Sequence, residues 1–432
     1  MVFSLLNSRA LPGRTEWSLH KRKYLLPVLC LLVLTGCGDQ YRPVANPIIG
    51  QGGQPQTTHY AFVVNSNPIG NSGTMQVDVS GDTNLQIQPS GAGAVAGAFL
   101  ANTTGALLTA NSLSDSVTEF STITTFAPTT TISLLPGSRP TALTSTAPGF
   151  MYVLNSSNNS SCPNTGSVSV INTSVLAVID TVCVGSSPVS FAELPIGTKI
   201  YVANQGDNSV SVFDPGAGVV TSTITQAQGL GVNPVFVVTS TDSNYVLVVN
   251  RGDGTNPGTL SIITSSNDTV LTNIPLGVAP TFAYVDTHLL RLYVVNTGSN
   301  SVMAFDLSAI NASNNPVLPT LGTVNVGSGP VGITALPDGT RFYTANSISN
   351  DVTSVSATSF SVLKTIPVGT TPVWISSEPT STKVYTANRD SGNISIIQTV
   401  NDSLVSNMPA PQEDPNCTTN CALQRPMMIL TF

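Results

Sequence analysis

A five-residue segment ending in asparagine is written eight times in this chain at nearly even intervals. The copies are AFVVN at Asn65, LLTAN at Asn111, MYVLN at Asn155, IYVAN at Asn204, VLVVN at Asn250, LYVVN at Asn296, FYTAN at Asn346 and VYTAN at Asn388. Successive asparagines lie 46, 44, 49, 46, 46, 50 and 42 residues apart. A period in the forties made only of strand-like segments is the pattern of propeller blades.

Each unit reads as four strands. Strand a follows a proline, as in PVSFAEL from Pro188 and PVGITAL from Pro330, and strand b is the Asn-ended motif. Strand c alternates after a polar turn (SVSVFD, NISIIQ), and strand d is outermost (VLAVIDTV, SVLKTIPV). Period-2 alternation and β-branched residues support each assignment. The outer strand must then cross to the next blade, and the crossings are written Gly-x-x-Pro: Gly137/Pro140, Gly185/Pro188, Gly231/Pro234, Gly277/Pro280, Gly327/Pro330 and Gly369/Pro372. Glycine there is expected to supply positive φ, and proline to begin strand a where no ladder N–H is needed. The motif asparagines are expected to make the b–c turns, tolerating left-handed geometry and bonding nearby N–H groups. A ring of eight ligand-binding amides is the alternative use.

The expected fold is therefore all-β: a β-propeller of four-stranded antiparallel blades. Eight are counted, and seven would follow if one copy is incomplete. The second copy lacks its proline and has SGAGAVAGAF from Ser90 instead. The first motif has no Pro-led strand upstream, while RPMMILTF, Arg425 to Phe432, has nothing after it. Pairing the two closes the ring and leaves no open inner edge.

The Tyr-Val-x-Asn core, followed by Ser-Val-Ser-Val and Gly-x-x-Pro, resembles the YVTN-repeat β-propeller family, the surface-layer and periplasmic relatives of lactonase-type propellers. The resemblance covers roughly Tyr60 to Phe432. It implies a seven-bladed propeller in most members and a place in the cell envelope.

The first 36 residues fit that location. His20-Lys21-Arg22-Lys23 gives a positive flank and Tyr24 to Leu34 an apolar run of signal-peptide length, too short to span a bilayer. It leads into Leu34-Thr35-Gly36-Cys37, which resembles a bacterial lipoprotein signal with Cys37 as the acylated residue. Residues 1–36 are thus expected to be a signal, 37–58 a polar linker and 59–432 one propeller. The membrane partner is expected to be reached through this lipid anchor, on the periplasmic side of an outer membrane or at the cell surface.

Chemistry is sparse beyond that point. Only 9% of residues are charged and the formal charge is −7, without the dense basic surface that nucleic-acid binding needs. After the signal, two histidines remain, His59 and His288, and one tryptophan, Trp374. Neither a zinc-binding His pair nor a nucleophile elbow is written, and no cofactor is expected. Four cysteines remain besides Cys30 and Cys37. Cys162 and Cys183 flank a predicted hairpin turning near Asn172-Thr173, which sets them opposite each other within disulfide reach. Cys417 and Cys421 are expected to close a small loop of their own.

What remains is a surface. Strands alternate in direction, so b–c turns and d-to-a crossings emerge on one face. That face carries Arg139, Arg251, Arg389 and Arg425, with Asp207, Asp253, Asp351 and Asp390. The expected role is a monomeric binding scaffold for an envelope protein or glycan. A propeller hydrolase of lactonase type, with its site at the channel mouth, is the alternative.

Overall fold

The structure is a computed structural model. It describes residues 48–49, 55–56, 60–68, 70–100, 105–122, 125–145, 148–310, 318–410 and 424–431. Cys37, His59, Cys417 and Cys421 lie outside these. Residues Gln40–Phe432 form one compact unit. Within the segment expected to be a linker, Ile48–Ile49 pairs with Pro55–Gln56.

Eight sheets of four antiparallel strands follow, each in the order a-b-c-d. Blade 1 takes its strand a from the far end of the chain: Arg425–Thr431 pairs with Tyr60–Ser66, followed by Asn71–Asp78 and Thr83–Ala92. Blade 2 starts at Ala94–Phe99, where alanine stands in the proline's place. Blades 3 to 8 start at Pro140, Pro188, Pro234, Pro280, Pro330 and Pro372. The count is eight, and the second copy is a full blade. Each strand a neighbours the strand a of the next blade all the way round, so the eight enclose a central channel.

The core lies between blades rather than within them, because a single four-stranded sheet cannot cover its own faces. Strand b is buried almost throughout: every residue of Ile200–Asn204 is buried, as is every residue of Tyr245–Asn250. Tyr201, Val210 and Val212 of blade 4 pack on Val237, Val246 and Val248 of blade 5. At the seam where the ring closes, Tyr385, Ile394 and Ile396 of blade 8 pack on Ala61, Val63 and Met75 of blade 1. Strand d is the exposed outer edge.

Two turn assignments need correction. The motif asparagines are not in left-handed geometry. They lie at the end of strand b, fully buried, and their amides donate to oxygens on or just before strand c, as Asn204 does to Ser209 (3.0 Å) and Ser211 (2.9 Å) and Asn155 to Ser167 (3.0 Å) and Ser169 (2.8 Å). Burial removes the eight amides from contact with any ligand. The left-handed residue comes four positions after the asparagine: Asp115, Asn208, Asn300 and Asn350, with φ from 46 to 58°. Of the six crossing glycines only Gly137 has positive φ. At Gly185, glycine is needed for space, since a Cβ there would come within 2.5 Å of the Asn204 amide. Thus the glycine and the asparagine of the repeat belong to one packing unit.

Cys162 and Cys183 are bonded, with Cα atoms 5.4 Å apart. The expected register is nevertheless wrong. The turn spans four residues, Thr173 to Leu176, and a bulge at Val170/Ile171 sets Ser167 opposite Cys183. Cys162 sits in the b–c loop before strand c, so the bond ties that loop to the outer strand. Non-reducing peptide mapping should recover the Cys162–Cys183 link. Replacing both with serine should cost about 3 kcal/mol by loop entropy; a pair found joined to Cys417 or Cys421 would exclude this arrangement.

Candidate binding face and channel mouth

The b–c turns and the crossings do share one face, stitched together by hydrogen bonds. Each left-handed turn residue accepts from the backbone of the next crossing: Asp115 from Arg139 (2.8 Å), Asn208 from Asn233 (2.7 Å), Asn300 from Gly329 (2.8 Å) and Asn350 from Thr371 (2.8 Å). The residue before it holds the crossing that leads into its own blade: Asp207 accepts from Ser186 N–H, Ser349 from Ser328 and Ser391 from Thr370. Every donor here is a backbone N–H with no ladder partner, which explains why short polar side chains recur at these sites.

Of the predicted acids Asp207 belongs to this stitching, and the others are bonded within their own blade. Asp207 also accepts from the Ser209 hydroxyl, and Asp351 from the Asn346 amide. Asp253 caps its own loop, and bonds from Asn256 and Thr255 hold its carboxyl well below the usual carboxylate range.

The four arginines divide into two sets that the sequence did not separate. Arg251 and Arg389 directly follow the motif asparagine, on turn tips of blades 5 and 8. Arg389 grips Asp390 through Nε (3.0 Å) and Nη2 (3.1 Å). This bond, then the Thr371 side chain, with a Coulombic share from Arg425, lowers the Asp390 pKa to about 2. Arg139 and Arg425 instead immediately precede the proline of a strand a, Pro140 and Pro426, at the rim of the channel, and both are exposed.

The channel itself is asymmetric. The third residue of strand a, counted from its proline, is Phe236, Phe282 and Trp374 in blades 5, 6 and 8, and Met428 in blade 1. Phe236 and Phe282 lie 4.5 Å apart between ring centroids, and Phe282 reaches Trp374 edge-on at 6.0 Å. That last contact spans blade 7, which contributes only Gly332. Trp374 Nε1 donates to the Ile429 carbonyl (3.0 Å), fixing the indole. Blades 2, 3 and 4 contribute Ala96, Ala142 and Ser190 at this level.

The opposite face shows a repeated feature with no place in the sequence reading. In blade 4, Lys199 Nζ and Tyr201 Oη both bond Asp268 in the c–d turn of blade 5 (2.9 and 2.6 Å). Arg341 and Tyr343 of blade 7 bond Asp402 of blade 8 in the same way (2.9 and 2.5 Å), and Lys383 and Tyr385 of blade 8 bond Asp82 of blade 1 (2.7 and 3.3 Å). In blade 6, Arg291 has no such carboxylate. It donates to the Ala357 carbonyl and lies over the Phe360 ring. The signal was present as Lys/Arg-x-Tyr in one copy and Asp-Ser/Thr in the next. His288 sits on this face, its Nδ1 3.7 Å from Asp286 Oδ1, an oxygen already accepting the N–H of His288 and Leu289. Among the described residues, no group of three or more His, Cys, Asp or Glu is placed to hold a metal ion.

Burial raises the hydroxyl pKa of Tyr152, Tyr201, Tyr293, Tyr343 and Tyr385 above the ordinary 10.0, and neighbouring carboxylates add to it. A raised folded-state pKa stabilises fully below the unfolded value and is lost as pH rises past it. The urea midpoint should therefore hold to about pH 9.5 and fall steeply above pH 10, where unfolded tyrosine ionises. A midpoint unchanged at pH 11.5 would show these hydroxyls to be free to ionise in place.

No protein-family model matches the chain, and no curated protein matches it either. Solved structures do match in fold. Dihydro-heme d1 dehydrogenase NirN, in complex with DHE, superposes with a TM-score of 0.64 at 11% identity, covering 90% of this chain and 78% of that one. A candidate 6-phosphogluconolactonase from Bacteroides fragilis gives 0.54 at 16% identity, over 88% and 100%. Kuenenia stuttgartiensis hydrazine synthase gives 0.53 at 19%, over 71% and 95%. At these identities the likeness is one of fold alone: an eight-bladed, all-β propeller.

Proposed function

We propose that this chain is an envelope lipoprotein of the YVTN-repeat kind, anchored through acylated Cys37, whose propeller binds an envelope protein or glycan on the Asn-turn face. The observation that carries this reading is the division of labour on that face. Its backbone is tied into the stitching and its acids are bonded within the face, while Arg251 and Arg389 stand on turn tips three blades apart. Turns released from packing can diversify over a rigid scaffold, which suits recognition. Guanidinium groups there suit carboxylate or sugar oxygens. The test is crosslinking in envelope fractions with the domain from Gln40 onward, then with Arg251→Ala/Arg389→Ala. Capture should be lost in the double variant; loss only on changing the opposite face near His288 would refute the assignment. Cys37→Ala should release the protein from membranes or leave it unprocessed.

The second reading is a hydrolase of lactonase type, favoured by the likeness to the Bacteroides protein. It is tested by following acid release from a panel of sugar lactones. Turnover that survives Arg251→Ala/Arg389→Ala but not changes in the channel would support it over the scaffold.

A further inference from the structure

The eight residues directly before the strand-a proline, or before the alanine in its place in blade 2, form a ring at the channel mouth: Arg425, Gly93, Arg139, Ser187, Asn233, Ala279, Gly329 and Thr371 in blades 1 to 8. This ring holds two arginines and no carboxylate. Its blade 2 member, between them, is a buried glycine with the Leu113 turn side chain lying against it, so the rim between Arg425 and Arg139 is apolar and offers neither guanidinium a partner. Neither guanidinium has an ion pair among the described residues. The acids beside them have hydrogen-bond partners of their own: Asp115 accepts the backbone N–H of Gly137 and Arg139 (both 2.8 Å), and both oxygens of Asp390 accept from Arg389, with Arg425 adding only its Coulombic pull. Two residues deeper comes a ring of Met427, Val95, Thr141, Val189, Val235, Thr281, Val331 and Val373, none of them buried. Eight side chains at this level, apolar or threonine, remain partly open to solvent in a structure that buries nearly every valine of strand b. Below them lies the aromatic half-ring, faced across the channel by Ala96, Ala142 and Ser190.

We propose that the channel mouth is a binding site for a small organic anion. Its planar apolar body would rest against Phe282 and Trp374, on the side of the channel left open by Ala96, Ala142 and Ser190 of blades 2 to 4. Its anionic head would be held by Arg139 and Arg425. Positive charge at the rim above an apolar, aromatic wall selects for a molecule with both parts, and rejects a neutral isostere that leaves the guanidiniums without a new partner. The site does not depend on a macromolecular partner at the turn tips.

Trp374 makes the test direct. In the domain from Gln40 to Phe432 it is the sole tryptophan, so its fluorescence reports the channel. The probe is 2-naphthoate, with neutral 2-naphthalenemethanol as its isostere. Naphthoate should quench Trp374 saturably, and more weakly as salt rises. The double variant Arg139→Asn/Arg425→Ala should raise its Kd about tenfold or more, as should replacing the carboxylate by the alcohol. Asparagine is chosen at 139 because the backbone there has φ 49°, which asparagine tolerates. An unchanged melting temperature would verify that the variant is folded. Arg251→Ala/Arg389→Ala should leave naphthoate binding intact even if it abolishes partner capture. Absence of quenching, equal affinity for the alcohol, or equal affinity in the mouth variant would each overturn the proposal. Loss of binding in the turn-tip variant would also overturn it, by moving the anion off the channel.

Discussion

Deleting residues 426–432 should unfold the whole propeller at lower denaturant rather than fray a single blade. The strand removed pairs along its length with Tyr60–Ser66, from Ala61↔Thr431 to Ser66↔Arg425. It also carries the seam to blade 8, where Trp374 donates to the Ile429 carbonyl and the Ser376 and Thr431 hydroxyls meet at 2.9 Å. Ile429 is 1% exposed, and Pro426, Met427, Met428 and Leu430 are buried or half-buried beside it. Losing that apolar surface should cost on the order of 5 kcal/mol. The larger effect is on strand b of blade 1, whose buried inner edge would be left unpaired. Urea unfolding of the truncated and full domains should show one transition displaced to a much lower midpoint. Two superposable curves would rule out closure through this strand.

Asp402→Ala should be the most damaging single substitution on the opposite face, at about 2–4 kcal/mol. Asp402 is 5% exposed and its Oδ1 receives both Arg341 Nη1 and the hydroxyl of fully buried Tyr343. Removing the carboxylate strands a cation and a hydroxyl at the joint of blades 7 and 8, and puts alanine at φ 51°, where it is strained. Asp402→Asn keeps an acceptor and tolerates that backbone, so it should cost about half as much or less. If alanine and asparagine prove equally mild, the bond carries little of the joint's stability.

The blade count, the Pro-led inner strands, the closing strand and the Cys162–Cys183 pair could all be read from the sequence. Each depends on a local pattern, β-branched alternation between turn residues, that repeats often enough to average out single errors. The roles inside the turns were not legible, since a turn's geometry depends on what lies across from it. Asn204 looks like a turn residue until Ser209, Ser211 and Gly185 are seen to surround its amide. Gly185 likewise looks like a φ-positive residue until its absent Cβ is measured against that amide. Asp82, Asp268 and Asp402 look like ordinary turn acids, because their partners sit in the preceding blade, dozens of residues away. The candidate site was legible as a face but not as two tiers. Whether an arginine follows the asparagine or precedes the inner strand decides whether it stands on a turn tip or at the channel rim.

The borrowed strand of blade 1 also sets an order in time. A chain delivered from its N-terminus presents Tyr60–Ser66 before the other seven blades and Arg425–Thr431 after them, so blade 1 stays three-stranded until those seven have emerged. Throughout that interval a long apolar strand edge is open, and pairing across nearly the full chain length makes the final step slow. If the N-terminus is held at a membrane by a lipid, the incomplete blade waits beside the surface while the last strand arrives. Such a propeller is open to mispairing during delivery more than its finished stability would suggest, and a chain interrupted before Arg425 holds seven four-stranded blades and one that lacks its inner strand.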